Sequence, residues 1–232
     1  SGRYVSITGN SNHAALAIIL FTPPFLLNII NNNNKLLNLI LLSCFVILLF
    51  MTGSRTGLLV FLIFLFSFYP NKVKSFFVFG FLFLFYYVFD KFYLNKIDFN
   101  YTSVFDRLSL NSSNRELNWL ESFDSFLNNP LFGRVLDTSK FNVIENSYLA
   151  CLSNYGLIGF IFFFSGIIYL LKNVFNSIRS KDLLTSCSSS IVLALLLGAY
   201  FEGYLLANVS ITFTFLLIYS NIIYFNKKLL TP

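Results

Sequence analysis

Charge is scarce in this chain. Asp, Glu, Lys and Arg make up only 11% of its 232 residues, against roughly a quarter in a soluble domain. So few charges cannot cover a water-facing surface. That excludes an ordinary soluble globular protein and leaves lipid as the solvent for much of the chain. There is one Trp, Trp119, too little for a tryptophan belt, and one His, His13, with no partner visible in the sequence, so it reads as structural. The three cysteines, Cys44, Cys151 and Cys187, have no metal-ligand spacing, and Cys44 and Cys151 fall in or beside apolar runs. Neither a metal site nor a disulfide framework is expected. The only Met is Met51, inside an apolar run, and the first residue is Ser1. The chain therefore reads as a fragment lacking N-terminal spans. No signal peptide and no internal repeat are visible.

Apolar residues are abundant. Hydrophobic residues reach 56% with 31 Phe, and the mean hydropathy is +0.70. Apolar runs fall at 14–30, 36–51, 57–69, 76–89, 148–171, 191–206 and 209–225. A crossing takes roughly 20 residues, and flanking Ser, Asn and Thr bring the shorter runs near that length. The expected fold is all-α: a polytopic bundle of about seven transmembrane helices. Pro23-Pro24 removes two backbone donors and predicts a kink in the first span. Tyr69-Pro70-Asn71-Lys72 is a turn signal, and the asparagine run 31–34 reads as a loop.

Between 90 and 147 the composition changes. This stretch holds eight of the ten acids. The organisation is thus spans 1–4 over 1–89, a loop over 90–147, and spans 5–7 over 148–232. Ser113 and Glu116 have capping-box spacing, and Leu117, Leu120, Phe123 and Leu127 recur at helical intervals until Asn128-Asn129-Pro130. An amphipathic helix is predicted over about 114–128, lying against the membrane surface or capping the bundle.

The net charge of +6 suggests nucleic acid until its placement is considered. Taking alternate short segments, Lys35, Lys72, Lys74, Lys172, Arg179, Lys181, Lys227 and Lys228 fall on one side, and only Arg3 and Arg55 on the other. Positive residues favour the cytoplasm. The first set is then cytoplasmic, the loop is extracytoplasmic, and no nucleic-acid partner is needed.

Several polar residues gather at the outer level of that topology. Arg55, in Thr52-Gly53-Ser54-Arg55-Thr56-Gly57, is either an arginine snorkelling to water or an anion clamp, for which its planar fork is suited. Glu202 lies within an apolar run, near the outer end of its span, where a carboxylate is costly unless paired. It is either a functional group or one half of a salt bridge to an outer arginine. Glu145 precedes Asn146-Ser147-Tyr148 and the next span, as a helix-start carboxylate or as a general base. With Arg3 and Arg115, these make a mixed acidic and basic site fit for a lipid pyrophosphate and a sugar hydroxyl.

Four stretches resemble the O-antigen ligase and O-antigen polymerase superfamily. They are Arg3 to Leu16; Ser54-Arg55-Thr56-Gly57; Arg115, Trp119 and Asn129-Pro130-Leu131-Phe132-Gly133; and Glu145-Asn146-Ser147-Tyr148-Leu149 through Gly156-Leu157-Ile158-Gly159. Thr56 is inserted before the glycine of the second element, and Glu145 stands where ligases carry histidine. That departure favours the polymerase branch.

The resemblance implies glycosyl transfer at the outer, periplasmic face of the bacterial cytoplasmic membrane. The donor is a glycan on undecaprenyl pyrophosphate. The acceptor is a second lipid-linked unit in a polymerase, or lipid A–core in a ligase. It implies Glu145, Arg55 and Arg115 as catalytic candidates, and Arg3, Arg107, Glu202 and Asn146 as substrate contacts. It implies no cofactor and no metal, and the chain has no Asp-x-Asp element. Membrane lipid and a chain-length regulator protein are the further partners expected. A lipid-linked oligosaccharide transporter is the rival from another class, but it would more often show repeats and broken helices near the midplane. A purely structural subunit would leave the charged loop unexplained.

Overall fold

The computed structural model describes residues 10–69, 115–134, 145–206 and 210–230. The expected fourth span (76–89), most of the loop, Arg3 and Arg107 lie outside these residues. Within them the secondary structure is helical: α1 (Ser11–Leu20), α2 (Thr22–Ile30), α3 (Lys35–Met51), α4 (Arg55–Phe68), α5 (Arg115–Asn128), α6 (Ser147–Ser177), α7 (Leu183–Gly198) and α8 (Ile211–Leu230), with no strand.

The first run is kinked between α1 and α2, as its prolines require. Pro23 and Pro24 stand in the first turn of α2, where a missing N–H costs least. They still deprive Ile19 and Leu20 of their usual helical donors. The Thr22 hydroxyl donates to the Ile19 carbonyl at 2.7 Å, and the Tyr219 hydroxyl, from α8, donates to the Leu20 carbonyl at 2.9 Å. Side chains thus satisfy the freed groups, as an apolar solvent demands. The asparagine run is the tight connection to α3. Asn32 and Asn34 have positive φ (59° and 42°), which asparagine tolerates better than most residues.

α7 lies at the centre, packed against α4, α8, α6 and α2. Cys187, Ile191, Ala194 and Leu195 are fully buried, against a core that includes Val60, Phe64 and Leu65. The apolar run predicts a helix over 191–206, and the observed helix runs over Leu183–Gly198. Ser189 and Ser190 return their hydroxyls to the carbonyls of Thr185 and Ser186. A serine satisfied in this way can sit in the interior of a helix, so the serine-rich stretch belongs to α7. Asp182 caps it, accepting from the Thr185 amide at 2.9 Å and from the Thr185 hydroxyl. The Thr185 hydroxyl, foremost, holds the Asp182 carboxyl below the usual range.

The segment α1–α2 and α6 are long and apolar enough to cross a bilayer; Lys35–Met51, Arg55–Phe68, Leu183–Gly198 and Ile211–Asn226 are apolar but shorter. α6 is peripheral, with Ile161, Phe162, Ile168 and Tyr169 exposed, as lipid permits.

α5 forms over the predicted stretch and packs against α6. Leu120, Phe123 and Leu127 are exposed, while Ser122 and Ser125 are buried. Its apolar edge is exposed, which suits a lipid surface. Trp119 stands edge-on to Tyr200, ring centroids 5.3 Å apart.

The turn after α5 is built into α6. Gly156 breaks α6 at φ 65°, ψ −167°. The amides of Leu157 and Ile158 turn to the carbonyls of Pro130 (2.8 Å) and Leu131 (3.3 Å), and the Arg134 amide donates to the Ser153 carbonyl (3.2 Å). Gly156 is nine residues into α6, about 13 Å along its axis at ~1.5 Å per residue. The turn therefore meets α6 well inside the length of a span.

Candidate functional site

Five connections converge at one end of the bundle: the start of α1, the α3–α4 turn, the start of α4, the start of α6 and the segment after α7. Each helix start among them is capped locally. Asn10 accepts from the Asn12 amide at 2.8 Å. Gly53 (φ 61°) ends α3, and the Ser54 hydroxyl caps α4 by accepting from the Gly57 amide at 3.0 Å. Asn146 caps α6, its Oδ1 accepting from the amides of Tyr148 and Leu149, both at 3.0 Å. Gly57 lets the two polar starts meet, because a Cβ there would stand 2.4 Å from the Ala15 Cβ.

Glu202 is the hub. It is 3% exposed and lies beyond the end of α7, in the segment leading to α8, rather than inside a span as its apolar run suggested. The Asn12 amide Nδ2 donates to Glu202 Oε1 at 2.6 Å, and the Thr56 hydroxyl reaches the same oxygen at 3.4 Å. Asn12 Oδ1 accepts from the Ser54 hydroxyl at 2.8 Å. On its backbone side, the Glu202 carbonyl accepts from the Ser147 hydroxyl at 2.7 Å. Ser147 in turn accepts from the Leu205 amide and donates its own amide to the Ala199 carbonyl. Buried polar groups need such partners, and here they tie four helix ends together.

Arg55 is the first residue of α4, half-buried, between the two residues that Glu202 holds directly (Thr56) and through Asn12 (Ser54). Glu145 is half-buried, one residue before the Asn146 cap and two before Ser147. The fold thus brings Arg55, Glu145, Asn146 and Glu202 to one end of the bundle. Arg115 begins α5, but its side chain lies outside the described part, as do Arg3 and Arg107. Among the described residues no three of His, Cys, Asp and Glu gather as a metal site.

Asn12, Ser54, Thr56 and Ser147 do not stand out as site residues by their types alone. The signal was Glu202 itself: an apolar setting demanded partners, and an arginine was the obvious candidate. The described partners include an amide and a hydroxyl, 190 and 146 residues away in sequence.

No curated protein and no solved structure matches the chain. The family model described as O-antigen ligase matches residues 39–164. That region runs from α3 past Gly156 and includes the start of α4, all of α5 and the Glu145–Ser147 start of α6. With more than half its length matched, and with the matched elements meeting at one end of a helical bundle, the chain belongs to the O-antigen ligase family.

Proposed function

We propose that the chain polymerises lipid-linked repeat units of O-antigen or another surface polysaccharide at the outer face of the cytoplasmic membrane. Family membership makes it a membrane glycosyltransferase of the O-antigen ligase and polymerase type, acting on lipid-linked glycans. In the reading proposed, Glu145 accepts the proton of the acceptor hydroxyl. The acceptor oxygen bonds to the anomeric carbon of the donor glycan, and undecaprenyl pyrophosphate leaves. Arg55 and Arg115 neutralise the charge developing on that pyrophosphate, where bidentate guanidinium groups act best. Arg3, Arg107 and the amide nitrogen of Asn146 contact the substrates. No metal takes part in this reading, and a chain-length regulator protein is a proposed partner.

The observation that carries the proposal is the shared end of the bundle. Arg55 begins α4 and Glu145 stands just before the cap of α6, and the buried Asn12–Glu202–Ser147 network joins those two helix starts. Ligation onto lipid A–core is the second reading, favoured by the description of the matching family. The full-length protein, purified and supplied with lipid-linked repeat units and lipid A–core, decides between them. Polymer on undecaprenyl pyrophosphate supports the polymerase, and product on lipid A–core supports ligation. Translocation without a new glycosidic bond removes both in favour of transport.

A further inference from the structure

We propose that Glu202 is a positioning residue: a buried strut that sets the distance between Arg55 and Glu145 rather than a group that touches substrate. Its carboxylate is turned inward, with 3% of the residue exposed, and one oxygen is engaged by Asn12 and Thr56. Through Asn12 it fixes Ser54, the cap of α4, so both neighbours of Arg55 answer to one carboxylate. Its own carbonyl holds Ser147, two residues from Glu145. A shift of Glu202 would therefore move both candidate catalytic residues. Misplacement of about 1 Å far from the chemistry is enough to cost a large part of a rate.

The role of Arg55 in this inference rests on the function proposed above. An exchange of the amide and the carboxylate tests the strut. Asn12→Asp alone sets two carboxylates against each other at hydrogen-bond distance, which neither tolerates as a charge. Glu202→Gln alone sets two amides there and leaves at most a weakened contact. The double variant Asn12→Asp/Glu202→Gln restores one donor and one acceptor. The carboxylate placed at position 12 would still accept from Ser54, and the Thr56 hydroxyl can donate or accept.

Each single substitution is expected to raise the donor KM by about tenfold, a coupling typical of directly bonded residues. The double variant should return to within about threefold of the parent. A loss of folded protein would lower the apparent kcat and leave KM alone, so KM separates positioning from mere stability. Unchanged KM in both single variants, or a double variant no better than the worse single, overturns the proposal. Hydrogen exchange at the Gly57 amide adds a readout independent of activity. Faster exchange in Asn12→Asp, restored in the double variant, supports the strut even if Arg55→Ala leaves donor KM unchanged, an outcome that would sink the role of Arg55 alone. Unchanged exchange at Gly57 in Asn12→Asp overturns the strut itself.

Discussion

Gly133 and Gly156 meet with no room for a side chain between them. A Cβ on Gly133 would stand 2.6 Å from the Gly156 nitrogen, and a Cβ on Gly156 would stand 2.3 Å from the Leu131 carbonyl oxygen. Both glycines have positive φ, 62° and 65°. The turn Pro130–Gly133 and the break in α6 are thus two halves of one contact, made mostly of backbone. Gly156→Ala should therefore lower stability by more than the ~1–3 kcal/mol of backbone strain at a glycine-only φ/ψ, since the neighbouring backbone must also retreat. Gly166, also in α6, has nothing within 4 Å of where a Cβ would stand, and Gly166→Ala should be neutral or stabilise by up to about 1 kcal/mol. Melting of the two variants in the same detergent checks the difference. Equal melting temperatures would show that the seam contributes nothing.

Arg55 and Arg115 are expected to be indispensable for donor binding and turnover. Arg55→Ala and Arg115→Ala should each abolish product at near-normal protein levels, and lysine should restore little, because a point charge lacks the bidentate fork. Polymer length and amount in membranes from each variant provide the check. Parental polymer from both alanine variants excludes the clamp.

Glu145 stands one residue before the cap of α6, with its peptide neighbour Asn146 already committed to the helix start. The capping role therefore falls to Asn146 and not to the adjacent carboxylate. Glu145→Gln, nearly isosteric but a poor proton acceptor, should lower turnover by about 10²–10⁴-fold, the usual contribution of a general base, with donor binding retained. Turnover of purified lipid-linked substrate at matched expression measures it. An unimpaired Glu145→Gln enzyme removes this residue from the chemistry.

The shared polar end of the bundle is expected to face outward. In a background lacking the native cysteines, a cysteine at Ser103 should react with an impermeant maleimide in intact cells, and one at Lys72 should not. The opposite pattern reverses the topology, and with it the side of the membrane on which the proposed chemistry occurs.

Much of this protein follows from local sequence. Low charge and high hydropathy select lipid as solvent, where every backbone group must find an internal partner, and long continuous apolar runs then favour helices. Pro23-Pro24 fixes the kink before α2, the asparagines at 32 and 34 suit its left-handed connection, and the Leu120–Phe123–Leu127 spacing marks α5. These features are written within a few residues of where they act. Tertiary structure alone decided which way the α5 apolar edge faces, that the serine-rich stretch belongs to α7, that Gly133 and Gly156 close on each other, and that Asn12 and Thr56 engage Glu202. Hydropathy periodicity reports solvent preference, not pairing, and the Asn12–Glu202 bond joins residues 190 positions apart. Such a bond exists only because α1, α4, α6 and α7 pack with their polar ends together, where a buried carboxylate must take whatever donors the neighbouring helices present.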